Sequence, residues 1–101
     1  MILRINPIIV NDLQAVKEFI SEDNPDMAEE VVDFLYDQFS DILNFPYAGA
    51  NLSNRVSFKT DLKYRVYGNY LILYKVKDGF VEIHRVLHCA LDLLRLIDEE
   101  M

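Results

Sequence analysis

Ile2, Leu3 and Ile5 open the chain and give way to Asn6-Pro7, which predicts a short first strand that stops there. Ile9, Leu13, Val16 and Ile20 then recur at steps of four, three and four. That is one face of a helix running from about Ile8 to Glu22, with Asp12, Lys17, Glu18 and Glu22 decorating the rest. Asp23-Asn24-Pro25-Asp26 restarts the pattern: Asn24 suits a helix N-cap, and Pro25 suits the first helical position, where its missing N–H costs nothing. Asp26, Glu29 and Glu30 favour the positive end of the helix dipole. Ala28, Val31, Leu35, Phe39 and Ile42 keep helical spacing to about Asn44, before Phe45-Pro46-Tyr47-Ala48-Gly49 breaks it. Two helices joined by so few residues fold back as an antiparallel hairpin.

From Val56 onward the period changes to two. Gly68-Asn69 and Lys77-Asp78-Gly79 are turn signals between strand-like runs. Tyr70, Ile72, Tyr74 and Val76 alternate with Leu71, Leu73 and Lys75, so this run is apolar on both faces and is expected at the centre of a sheet. Val81 to His88 reads as the last long strand, and Ala90 to Ile97 as a short helix or tail. The order predicts an α+β fold: an N-terminal strand and a helical hairpin on an antiparallel sheet of three to four further strands, in a single domain over residues 1–101.

Composition narrows the function more than the fold. The chain has 101 residues and a formal charge of −7. Residues 1–54 hold two bases and ten acids; residues 55–95 hold eight bases and four acids. A chain this acidic is a poor general nucleic-acid binder, although its second half has the charge for a local basic face. One cysteine excludes an internal disulfide framework, and no zinc spacing, phosphate-binding glycine loop or nucleophile elbow occurs. Neither a cofactor nor a metal is expected. No apolar run approaches the roughly 18 residues of a membrane span, and Met1 to Pro7 shows no secretory pattern, so no membrane contact and a cytoplasmic location are expected.

The candidate chemistry is sparse. His84 and His88 fall on one strand face with Glu82 and Val86, a weak acid–base or metal pattern. His88 and Cys89, as strand neighbours, point to opposite faces and do not form a nucleophile–base pair. Tyr64, Tyr67, Tyr70 and Tyr74 suit either packing around the sheet or base stacking. Arg65 and Arg85 interrupt apolar strands, where arginine pairs with a carboxylate or meets a partner.

Four collinear segments between Ile5 and Leu94 carry a resemblance. They are Ile20 to Pro25, Asn44 to Gly49, Tyr64-Arg65-Val66 with Gly68 to Val76, and Val81 to His88. Together they resemble the RelE/ParE superfamily of bacterial type II toxins, the plasmid-stabilisation or addiction-module proteins. The resemblance implies a helical hairpin packed on a curved antiparallel sheet, and a toxin neutralised by a cognate antitoxin in a hetero-oligomer. One branch cuts mRNA on the ribosome; the ParE-like branch inhibits DNA gyrase without chemistry of its own. Leu71 stands where the RNA-cutting branch commonly places an arginine, and the whole chain is acidic, so the ParE-like branch is closer. On the nuclease alternative, Arg65, Arg85 and His88 would carry the chemistry; a third alternative is a decayed toxin that only binds antitoxin. Lys63, Tyr64, Arg65, Tyr70, Lys75, Arg85 and His88 are the residues expected to meet antitoxin or target. Acidic contacts are expected opposite Lys63, Arg65, Lys75 and Arg85.

Overall fold

A computed structural model describes residues 1–89. The expected Ala90–Ile97 helix or tail lies outside the described residues. The order is β1 (Ile2–Ile5), α1 (Ile8–Ser21), α2 (Pro25–Asn44), β2 (Ala50–Asn51), a 3₁₀ turn (Leu52–Asn54), β3 (Lys63–Tyr67), β4 (Tyr70–Lys77) and β5 (Phe80–His88).

Local chemistry accounts for the helix boundaries. The Asn6 side-chain carbonyl accepts the Ile8 N–H at 3.1 Å just before α1. Asn24, in an extended conformation, accepts the Met27 N–H at 3.1 Å, with Pro25 in the first turn of α2. The Gly68 turn between β3 and β4 needs a positive φ, 60°, which glycine adopts without strain.

The five strands lie in the order β1-β5-β4-β3-β2, with β4 in the centre as its two apolar faces require. The pairs β5–β4, β4–β3 and β3–β2 are antiparallel, but β1 runs parallel to β5, with Ile2 opposite Phe80 and Ile5 opposite Ile83. The sheet is therefore mixed. Strand pairing between Val56 and Leu62 is not formed: that stretch is irregular and leads from the 3₁₀ turn to β3.

Two cores flank the sheet. On one face Ile9 and Val16 of α1 and Leu35, Phe39 and Ile42 of α2 pack against Tyr70, Ile72 and Tyr74 of β4 and Val81, Ile83 and Val86 of β5. On the other face Leu52 of the 3₁₀ turn, with Val56 and Leu62 beside it, covers Leu71, Leu73 and Leu87. Burying each of these large side chains contributes about 1.5–3 kcal/mol before the entropy of ordering it is charged against it.

Candidate interaction surfaces

Arg85, Arg65 and Lys63 are engaged within the fold. Arg85 forms a two-point pair with Asp12 of α1: Nε donates to Oδ2 at 2.9 Å and Nη2 to Oδ1 at 3.0 Å. The same Asp12 Oδ2 accepts the Val86 backbone N–H at 3.0 Å. Because β1 ends at Ile5, no strand among the described residues lies beside the outer edge of β5 beyond Ile83, and the carboxylate takes the place of a strand carbonyl. Asp12 is 9% exposed, a buried acid on the apolar stripe of α1 rather than one of its solvated decorations. The signal was its spacing, three residues after Ile9 and four before Val16.

Arg65 fastens the other helix. Its guanidinium pairs with Asp41, donates to the Phe45 carbonyl at 2.8 Å and reaches the Tyr67 hydroxyl at 3.3 Å, so it caps the C-terminal end of α2. Burial works against its charge, but the hydrogen bonds to Tyr67 and Asp41 outweigh that and raise its pKa. Lys63 donates to the Asn51 side chain at 2.9 Å, holding β2 to β3. Tyr74, fully buried, donates its hydroxyl to the Pro46 carbonyl at 2.9 Å and accepts the Gly49 N–H at 3.1 Å. Burial pushes that phenol up, with Arg65 partly offsetting it. A Cβ on Gly49 would collide with the Tyr74 hydroxyl and the Tyr64 carbonyl, so a larger residue forces one of them to shift.

A β-bulge overturns one expectation. Leu73 faces Arg85 and Tyr74 faces Ile83, so His84 is the extra residue in β5. Side-chain alternation slips there: Ile83 and Val86 both join the helix-side core. His84 consequently faces the opposite side with Leu52, Leu62 and Lys75, whereas His88 faces the helices. The two histidines do not share a face. Burial, then the charge of Lys75, lowers the His84 pKa, with Glu82 3.9 Å away opposing the shift.

The expected site residues therefore divide between two faces. Arg65 and Tyr70 belong to the helix side with His88, and the Tyr70 and His88 rings meet edge to face at 5.4 Å. Tyr64 and Lys75 belong to the opposite side, where Tyr64 accepts a hydrogen bond from Arg55 Nε at 2.9 Å. Arg55 and Tyr64 border an apolar pocket with Leu52, Val66, Leu71 and Cys89. Burial raises the Cys89 thiol pKa, which keeps it protonated and a weak nucleophile.

A larger groove, about 380 Å³, opens between the helical hairpin and the β3–β4 turn. Phe19 of α1, Met27 and Phe34 of α2, and Tyr67, Tyr70 and His88 of the sheet line it. Phe19, Met27 and Phe34 were missed in the sequence because their spacing put them beside the core stripe rather than on it. Phe34 meets Tyr67 edge to face at 5.9 Å, and Phe19 meets His88 at 6.2 Å. Among the described residues no group of three His, Cys, Asp or Glu side chains is arranged to hold a metal ion. No described helix is long and apolar enough to cross a membrane.

A strand, a helical hairpin and a mixed sheet, with Arg65 and Arg85 fastening the helices to the strands, define a small α+β domain of RelE/ParE architecture. The chain belongs to the family of ParE toxins of type II toxin–antitoxin systems, parDE, which matches residues 3–93. Among solved structures it is similar to a chain of the chromosomal ParDE toxin–antitoxin system from P. aeruginosa. The TM-score is 0.70 and the identity 16%, over 87% of this chain and 95% of that one. At that identity the likeness is one of fold. No curated protein matches the chain.

Proposed function

We propose that this chain acts in the cytoplasm as a ParE-like toxin, which inhibits DNA gyrase by binding and is neutralised by a cognate antitoxin. One observation carries the reading: the groups a nuclease would need do not converge. Metal-free RNA cleavage requires a base, an acid and cations around one phosphate. Here Arg65 is tied to the end of α2, Arg85 to Asp12 and His88 is set between Phe19 and Tyr70. Leu71 is buried under Leu52 in the second core, so that position offers no cation of its own to a phosphate. Membership of the ParE family supports the same reading, as does a similar fold from a ParDE system.

The test is induction of the chain with and without its antitoxin, together with a supercoiling assay on purified gyrase. The expected outcome is DNA breaks, filamentation and loss of supercoiling, each reversed by antitoxin. Specific mRNA cleavage on ribosomes, abolished by a folded His88→Ala variant, would install the ribosome-dependent nuclease instead. Unaffected growth with soluble protein that still binds antitoxin would mark a decayed toxin.

A further inference from the structure

Uncompensated cations collect at one end of the sheet. Residues 45–67 hold four bases and one acid, against two bases and ten acids in residues 1–44. The acid, Asp61, is paired with Lys77, and Arg65 is paired with Asp41. Arg55, Lys59 and Lys63 remain, and none of them forms an ion pair among the described residues. Lys63 and Arg55 donate to neutral oxygens, those of the Asn51 side chain and the Tyr64 hydroxyl, which leaves their charges unbalanced.

Each of these two cations lies against a ring. The Lys63 ammonium is 5.9 Å from the Tyr47 ring centre, and the Arg55 guanidinium is 5.5 Å from that of Tyr64. Lys63 and Tyr64 are consecutive in β3 and pair with Asn51 and Ala50 of β2, the outermost strand. Consecutive strand residues point to opposite faces, so the two cation–ring pairs straddle the sheet edge. Tyr47 and Phe45 are 70% and 61% exposed, yet their backbone is fixed: Arg65 donates to the Phe45 carbonyl, Tyr74 donates to the Pro46 carbonyl, and the Gly49 N–H donates to the Tyr74 hydroxyl. Exposed rings on a fixed loop, with unbalanced cations on both sides, suit bases that stack and phosphates that need neutralising. An added peptide strand would find only the two residues of β2 to pair with. The histidines have other neighbours, His84 beside Lys75 and His88 beside Phe19, so the edge can hold a phosphate without the acid and base that would cut it.

Resting on the gyrase reading, we infer that this edge grips the backbone of the DNA that gyrase holds, with Arg55, Lys59 and Lys63 on phosphates and Tyr47 on a base. The chain as a whole carries −7, which repels free DNA, so the contact gains strength when the target brings DNA to it.

Titration of the full chain into a short labelled DNA single strand, the duplex of the same sequence and the matching RNA tests the chemistry. Single-strand binding should fall with salt at a logarithmic slope of about 2, three cations at about 0.7 each. Arg55→Gln with Lys59→Gln should lower that slope by about 1.4, and Tyr47→Ala should weaken binding about tenfold. Arg4→Gln removes a charge from β1, at the opposite edge of the sheet, and should change neither. The chain should also bind DNA-loaded gyrase about tenfold more tightly than DNA-free gyrase, and the double variant should lose that gain alone. Thermal unfolding checks each variant, and Lys59→Gln alone, at an exposed side chain, keeps the test if the double variant unfolds. Equal affinity for the two forms of gyrase, or a slope unmoved by the double variant, overturns the edge assignment while the gyrase reading stands. Tighter binding to RNA than to either DNA overturns DNA as the ligand. Edge variants that lose DNA-free gyrase give the edge to an acidic protein surface and overturn the inference too. A wild-type chain that binds neither form of gyrase overturns that reading and the inference with it.

Discussion

The two faces of the sheet are covered by different means. On one, two regular helices lie over β4 and β5 and are pinned to the strands by Arg65 and Asp12. On the other, a 3₁₀ turn and an irregular loop lay Leu52, Val56 and Leu62 over three leucines. The helical side buries large rings and still needs polar fasteners at its ends, because a helix end and a strand edge each leave backbone groups without partners. The loop side is a small apolar cap. The two layers on the same doubly apolar strand are therefore expected to differ in stability, the loop side opening at a lower free energy than the helical side.

Core truncation should separate the faces most strongly. Phe39→Ala is expected to cost about 4 kcal/mol and Leu52→Ala about 2 kcal/mol, since a loop collapses into a cavity more readily than a helix pair does. Urea unfolding measures both. Hydrogen exchange should show the amides of residues 52–62 opening well below the global free energy in the wild type; exchange of these amides only through global unfolding would break the comparison.

Removing the acidic fastener comes next. Asp12→Ala leaves Arg85 half-buried without its carboxylate and Val86 without its acceptor, which should destabilise the chain by about 3 kcal/mol. Replacing both partners, Asp12→Leu with Arg85→Met, should recover part of that loss, because the Arg85 charge is gone. A double variant no better than Asp12→Ala would assign the effect to Val86 N–H alone.

Gly49→Ala should cost about 2 kcal/mol through collision with the Tyr74 hydroxyl and the Tyr64 carbonyl. Tyr74→Phe removes the first obstacle and two hydrogen bonds, for about 1 kcal/mol. Combined, the two should cost less than their sum, a coupling that a double-mutant cycle measures.

The smallest effect is a pH slope. The folded state holds the His84 pKa below its unfolded value of 6.5, so the unfolded chain takes up the proton first. Stability is therefore full above that value and falls as pH drops through it toward the folded pKa. His84→Gln should remove this contribution, read as a shallower loss of unfolding free energy between neutral and mildly acid pH. An unchanged slope would place the titration elsewhere.

Much of the frame was legible because its signals are local. Asn24-Pro25 marks a helix start whatever it packs on, and Gly68-Asn69 marks a hairpin turn by its own φ requirement. Elements joined across the chain were harder. The bulge at His84 coincides with a slip in alternation, two polar residues, His84 and Arg85, standing between Ile83 and Val86, and it reverses which face the later side chains take. The parallel pairing of β1 is a matter of edge choice, which alternation does not encode. Arg65 and Arg85 stood out as arginines in apolar strands, but their carboxylates lie 24 and 73 residues away in sequence. The exposed rings of the groove read as ordinary helix surface until the β3–β4 turn is brought beside them.

The parallel strand at the edge sets a schedule. Ile2 pairs opposite Phe80 and Asp12 reaches Arg85, so the beginning of the chain has its partners only near the end. A ribosome adding about 5–20 residues per second exposes the helical hairpin seconds before the strand that receives it. During that interval the apolar stripe of Ile9, Val16, Leu35 and Phe39 has no sheet to cover it. The order of synthesis thus delays the finished toxin until its last strand is made.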